Sequence, residues 1–185
     1  RVRFFELGLR FRQEPNMETL ELENITQEKM IAGVVCGNRF DENWADSTQA
    51  IDFYDIKGDI ESILAQTGDS GSFDFLPASH PALQRGQSAE IRRNGQLLGH
   101  IGLIDPRIQK LLDIKIPIFL FELSIDLLIG KNIPQMTPIS RFPAVRRDIA
   151  VLVDPSVNAA DIRSCVESEG NNHLQNLKLF DVYHG

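Results

Sequence analysis

Cysteine is nearly absent from this chain. Its 185 residues hold two, Cys36 and Cys165, with no CxxC pair. That argues against a disulfide framework and for a reducing, cytoplasmic setting. The histidines at 80, 100, 173 and 184 show no zinc-ligand spacing. Positive charge is also scarce, with 19 Lys+Arg against 26 Asp+Glu and a net charge of -7. A free-standing nucleic-acid binder carries a basic face, so the balance speaks against one. No apolar run reaches the roughly 18 residues that suggest a membrane span. The longest, Ile114 to Ile129, is broken by Lys115, Pro117, Glu122 and Asp126. No signal-peptide pattern is visible. The chain opens inside a strand-like run and stops at Tyr183-His184-Gly185 with no closing element, so a fragment of a longer protein is expected.

Apolar residues are 42% of the sequence, enough for a core that buries roughly 70% of the unfolded surface. Residues 2–12 and 29–38 read as strands, with a loop or hairpin turn over 13–23. Asp52 is placed to cap a helix over 53–66, where Phe53, Ile56, Ile60, Ile63 and Leu64 share one face. Gly68 is the expected stop. Gly58 inside that helix costs about 1 kcal/mol against Ala, and a close helix-to-sheet contact is the expected reason for it. Asn94-Gly95 marks a hairpin between 88–93 and 96–104. A short helix over 106–112 and an apolar strand over 116–125 follow, then a linker, Gly130 to Pro138. Beyond it, 148–154 and 174–183 read as strands around a helix over 159–169 capped by Asn158 and ended by Gly170. This β-α-β unit is the first half of a ferredoxin-like fold.

Few constellations point to chemistry. Asp52, Asp55 and Asp59 share a helical face and are a formal Mg²⁺ set, but a helix cap with a solvated stripe is the expectation, since one helix face rarely makes a metal site. No Ser/His/Asp or Cys/His arrangement can be argued from order. Both cysteines sit among apolar neighbours and read as core.

Three stretches carry a family resemblance. The first is Val2-Arg3-Phe4-Phe5-Glu6-Leu7-Gly8-Leu9-Arg10-Phe11, and the second is Asp52-Phe53-Tyr54-Asp55-Ile56-Lys57-Gly58-Asp59-Ile60-Glu61. The third joins Ile139-Ser140-Arg141-Phe142-Pro143-Ala144-Val145-Arg146-Arg147-Asp148-Ile149-Ala150 with Leu179-Phe180-Asp181-Val182-Tyr183-His184-Gly185. In order and spacing they resemble the C-terminal part of bacterial phenylalanyl-tRNA synthetase β subunits, across essentially the whole chain. Gln84-Arg85 and Asp105-Pro106 depart from the family's usual His-Pro pairs.

The resemblance implies an α+β fold in two modules. Residues 1–138 would be a class II synthetase-like antiparallel sheet with helices. Residues 139–185 would be the truncated N-terminal half of a ferredoxin-fold anticodon-binding domain. It also implies an α2β2 phenylalanine-tRNA ligase, with ATP and Mg²⁺ at an active site on the α subunit, and the α subunit and tRNA(Phe) as partners. No cofactor, metal site or catalytic residue is expected in this chain itself.

Phe11-Arg12-Gln13-Glu14 reads as the Phe-Arg-x-Glu of a class II second motif. The third-motif equivalent, Phe119 to Ile125 running into Asp126-Leu127-Leu128, has neither a Gly-rich turn nor an Arg. Adenylation gathers negative charge that guanidinium groups stabilise, and Glu122 and Asp126 stand there instead. For RNA, Arg141, Arg146 and Arg147 are the candidate phosphate contacts and Phe180 and Tyr183 the candidate stacking residues. The plainer reading puts Phe142 and Phe180 in a core and pairs Arg147 with Asp148 or Asp181. Two competing classes are an RNA-binding module on an unrelated carrier and an autonomous class II-like enzyme. The first two stretches oppose one; the missing Arg and Gly in 119–128 oppose the other.

Overall fold

The computed structural model describes residues 1–13, 25–45, 47–67, 73–129, 136, 141, 143–170 and 173–183. Of the turn expected over 13–23, Gln13 belongs instead to the first strand and the rest lies outside the described residues, as do the stop at Gly68 and nearly all of the linker. The chain forms two compact units, Arg1–Met136 and Thr137–Gly185.

The first unit is built on strands β1 (Val2–Gln13), β2 (Ile25–Cys36), β3 (Phe73–Pro77), β4 (Leu83–Arg93), β5 (Gln96–Ile104) and β6 (Ile118–Ser124). They form one antiparallel sheet in the order β1-β2-β6-β5-β4-β3. The β4–β5 turn is where expected: Asn94 and Gly95 both take positive φ (49° and 79°), as a two-residue hairpin turn requires. Side chains alternate between the two faces. Val35, Ala89, Ile91, Ile101, Phe119, Phe121 and Leu123 line one face and are buried.

Helix α1 (Phe53–Ala65) covers that face with Ile56, Ile60 and Leu64. Its start follows from Asp52, whose side chain accepts from the N–H groups of Tyr54 (2.8 Å) and Asp55 (3.0 Å), while Asp55 accepts from the Asp52 N–H (2.8 Å). This is a capping box built of two aspartates. The expected reason for Gly58 is wrong, because a Cβ there would meet nothing within 4 Å. Gly99 is the glycine held by a close approach: its Cβ would collide with the backbone of Glu122 and Leu123 on the neighbouring strand.

Three shorter pieces complete the unit. Helix α2 (Pro106–Leu111) is capped by Asp105 and has Pro at its first position. A second small core of Cys36, Ile104 and Ile118, joined by Ile108 and Ile114, lies on the opposite face. The one-turn helix α3 (Ile125–Leu128) follows β6 directly. Its last carbonyls are held by Arg93, whose Nη1 donates to Leu127 (2.9 Å) and Leu128 (3.2 Å).

In the second unit, helix α4 (Ala159–Glu169) forms behind Asn158 and Asp161. Gly170 closes it, donating to the Val166 carbonyl at 2.8 Å. The expected strands over 148–154 and 174–183 carry no ladder among the described residues. In a split β-α-β unit the two parallel strands are not neighbours, since a third lies between them. Among the described residues neither stretch therefore has a partner within this unit. Cys165 is exposed rather than in a core, and Cys36 alone is buried; α4 buries no residue. Among the described residues no helix is long and apolar enough to cross a membrane.

Candidate functional site: the open face of the sheet and the second unit

The face of the sheet opposite α1 carries polar side chains at mid-strand. Strand register sets Glu6, Ala32, Glu122, His100 and Glu90 in one row across five strands. Alternation puts Arg10 and Glu28 on the same face, paired across β1 and β2. The Arg10 guanidinium joins them. It donates to Glu28 through Nε (3.0 Å) and Nη2 (2.5 Å), and to Glu122 through Nη1 (2.5 Å). Glu90 is taken by Arg92 at 2.6 Å, which lowers the Glu90 pKa chiefly through that hydrogen bond.

His100 sits between Glu90 and Glu122 on its neighbouring strands, and the His80 ring stands over it at 4.8 Å. Burial lowers the His100 pKa, and the nearby charge of His80 pushes it the same way. The carboxylates Glu90 and Glu122 oppose this but do not outweigh it. His80 is itself oriented, its Nδ1 accepting from the Ala82 N–H at 3.3 Å.

The residues expected to carry or to exclude class II chemistry are distributed around this face. Arg12 is exposed near the end of edge strand β1, opposite Thr26. Glu14 of the Phe-Arg-Gln-Glu match lies outside the described residues. Glu122 is in mid-sheet with Arg10, whereas Asp126 is exposed on α3, beyond the end of β6. The three helix aspartates are taken up as caps and ion pairs. Asp52 and Asp55 bind Arg39 at 3.3 and 2.7 Å, and Asp59 binds Arg3 at 2.6 Å. Among the described residues no cluster of His, Cys, Asp and Glu is placed to hold a metal ion.

In the second unit Arg141, Arg146 and Arg147 are all exposed. Arg146, not Arg147, pairs with Asp148, at 3.2 Å between two largely exposed side chains. Phe180 and Tyr183 are exposed, so the reading of Phe180 as core is corrected; Phe142 lies outside the described residues. No contact among the described residues joins these arginines to either aromatic ring. Sequence reasoning missed Arg10, Glu28, His80 and His100. The only signal for Arg10 was its even position in a strand whose alternation is blurred by Phe4 and Phe5.

The family model for the phenylalanyl tRNA synthetase beta chain CLM domain matches residues 1–125. The chain belongs to that family. A second family model, the ferredoxin-fold anticodon binding domain, matches residues 140–185. Similar proteins include the phenylalanine–tRNA ligase beta subunits of Pseudomonas savastanoi pv. phaseolicola (43% identical, covering 100% of this chain and 22% of the relative) and of Dickeya dadantii (44% identical, 100% and 23%). The chain thus spans under a quarter of the length of the curated relatives it matches. Among solved structures, the pyrrolysyl-tRNA synthetase of Desulfitobacterium hafniense aligns with a TM-score of 0.46 at 13% identity, over 69% of this chain and 40% of that one. That likeness is too loose to carry an argument. The match to the beta chain family over most of the chain gives the sheet its place in a synthetase subunit.

Proposed function

We propose that this chain is a non-catalytic part of the β subunit of an ATP-dependent ligase that joins phenylalanine to its tRNA. Residues 1–138 form a class II-like scaffold, and residues 139–185 begin the anticodon-binding domain. The observation that carries this reading is the Arg10–Glu28–Glu122 network. Adenylation needs fixed cations aimed at phosphate. On this open face the one guanidinium in mid-sheet is already shared by two carboxylates, and Arg92 is taken by Glu90. A triphosphate laid across the row would meet Glu122, Glu90 and Glu6, while the exposed Arg12 stands near the end of edge strand β1, away from the row.

On this reading the active site, with its ATP and Mg²⁺, lies on a companion α subunit in a cytoplasmic α2β2 enzyme. This chain supports assembly and tRNA contact. Arg141, Arg146 and Arg147 lie toward phosphates, and Phe180 and Tyr183 offer faces on which bases stack. ATP–pyrophosphate exchange is the test. The expected result for the chain alone is no exchange above background. Exchange by the chain that disappears in Arg12→Ala would assign it a working second motif and overturn the proposal.

A further inference from the structure

The turn that joins β4 to β5 is exposed and chemically open. Asn94 and Gly95 are its two central residues, both exposed and both at positive φ (49° and 79°), the arrangement that a two-residue hairpin loop needs. Of the chain's asparagines, only Asn94 is followed by glycine. Among the described residues no hydrogen bond holds the Asn94 side-chain amide or the Gly95 N–H. A Cβ at Gly95 would meet nothing within 4 Å, so the space beside that nitrogen is open. Other asparagines differ. Asn43 is engaged with the Asp41 carbonyl (3.1 Å) and the Ala45 N–H (2.9 Å), and Asn158 with Asp161 (3.3 Å). Trp44, Ala159 and, after Asn38, Arg39 follow them in sequence, each with a Cβ that crowds its own backbone nitrogen.

An asparagine side chain and the next backbone nitrogen can close a ring, and glycine in the second place removes the Cβ that hinders it. The Gly95 N–H gives its proton to hydroxide, and the nitrogen attacks Asn94 Cγ. A C–N bond forms, the Cγ–Nδ2 bond breaks, and ammonia leaves with a proton taken back from water. The product is a succinimide ring. Water then opens the ring at either carbonyl. Opening at Cγ gives aspartate; opening at the backbone carbonyl gives isoaspartate. Nothing is oxidised or reduced. A cation stands beside the reacting nitrogen, because Arg92 Nη1 donates to the Gly95 carbonyl at 2.9 Å. Its charge favours loss of the Gly95 proton.

We propose that Asn94 is a site of spontaneous deamidation in the folded chain, and that its isoaspartate product loosens the end of the sheet. Isoaspartate carries the main chain through its own side-chain methylene, so the loop gains a backbone atom. The lengthened turn no longer holds Arg93 opposite Gln96. Arg93 does more than close the turn. It pairs with Phe73 on β3, its guanidinium stands over the Phe73 ring at 5.2 Å, and it holds the Leu127 and Leu128 carbonyls of α3. A shift at Arg93 therefore reaches both β3 and α3. Aspartate, the other product, keeps the chain length and tolerates positive φ, so it leaves these contacts in place.

The experiment ages the full-length β subunit carrying this sequence in mildly alkaline buffer and follows every asparagine by peptide mapping. A free peptide from Glu90 to Gly99 is aged beside it. The expected result is that Asn94 converts before any other asparagine of the folded protein, and more slowly than in the peptide, since the hairpin restrains the turn. The purified isoaspartate form should show hydrogen exchange roughly tenfold faster in β3 and α3, whereas freshly prepared Asn94→Asp exchanges like the unaltered protein. Asn94 still intact after the peptide has converted, or another asparagine converting first, overturns the site. Unchanged exchange in the isoaspartate form overturns the loosening. Equal acceleration in Asn94→Asp overturns its origin in the lengthened backbone.

Discussion

Arg10 on β1 reaches over β2 to Glu122 on β6, with a nitrogen–oxygen distance of 2.5 Å. Its other donors hold Glu28 on β2, so one side chain joins three strands. All three side chains are a third or more exposed, so solvent screens the pair. Arg10→Ala is expected to lower stability by about 1 kcal/mol at low ionic strength. The loss should shrink in roughly 1 M salt, where the screening length is about 3 Å. Urea unfolding at the two salt concentrations measures it; a loss independent of salt would point to packing by the Arg10 stem instead.

Gly58 offers the opposite sign. It lies inside α1 with open space where a Cβ would go. Gly58→Ala should raise stability by about 1 kcal/mol. A shift of the urea midpoint without a change in slope is the readout.

Gly99 is the converse case. A side chain there meets the backbone of Glu122 and Leu123, and backbone cannot swing aside as a side-chain tip does. Gly99→Ala should destabilise by about 3 kcal/mol, the upper end for overpacking. Comparing its thermal midpoint with that of Gly58→Ala separates backbone collision from ordinary helix propensity.

His100 makes stability depend on pH. Its folded pKa lies below its ordinary value near 6.5, chiefly because it is buried. As pH falls through that value, the unfolded chain takes up a proton that the folded chain does not, so stability falls with it. His80, Glu90, Glu122 and Arg10 are the charged or titratable groups around it. Between about pH 7.5 and 5.5, a window that brackets the imidazole, the thermal midpoint of the unaltered chain should drop more than that of His100→Gln. Parallel curves would remove His100 as the cause.

The arginines of the second unit are tested by salt dependence. Replacing a true phosphate contact should reduce the slope of log affinity against log salt for tRNA by about 0.7–0.9. Arg141→Ala, Arg146→Ala and Arg147→Ala are measured singly in the complete β subunit. Arg146 is already paired with Asp148, but both groups are exposed, and such a pair contributes too little to keep Arg146 from a phosphate.

What the sequence disclosed depended on how local the cause was. Helix α1 was legible because Asp52, Asp55 and a one-sided apolar stripe all lie within 14 residues. The β4–β5 hairpin was legible because Asn94-Gly95 alone sets the turn. Strand β3 was missed: it is five residues long and ends in Pro77, which an edge strand tolerates but a sequence pattern reads as loop. Helix α3 was missed because Ile125 to Leu128 continues the apolar run of β6 without punctuation. The open-face cluster was legible only at Glu122. Arg10, Glu28 and His100 meet it through strand register, and no spacing within one segment announces a contact made across three. The stretches 148–154 and 174–183 have the composition of strands, yet composition cannot supply the neighbour that a strand must bond.

The place of β6 in the sheet has a kinetic consequence. The β1–β2 pair and the run β3–β4–β5 can each close by connections between consecutive strands, but β6 must enter between β2 and β5. Its pairing of Ile31 with Leu123 links residues distant along the chain, and such closures are slow. During synthesis β6 is the last strand of the sheet to leave the ribosome. Until it arrives, β2 and β5 each present an unpaired, largely apolar edge, the kind of surface that recruits chaperones or aggregates. Lesions in Ile118–Ser124 should therefore lower the yield of folded protein beyond what their equilibrium effect implies, because they lengthen the wait for the strand that joins the two halves.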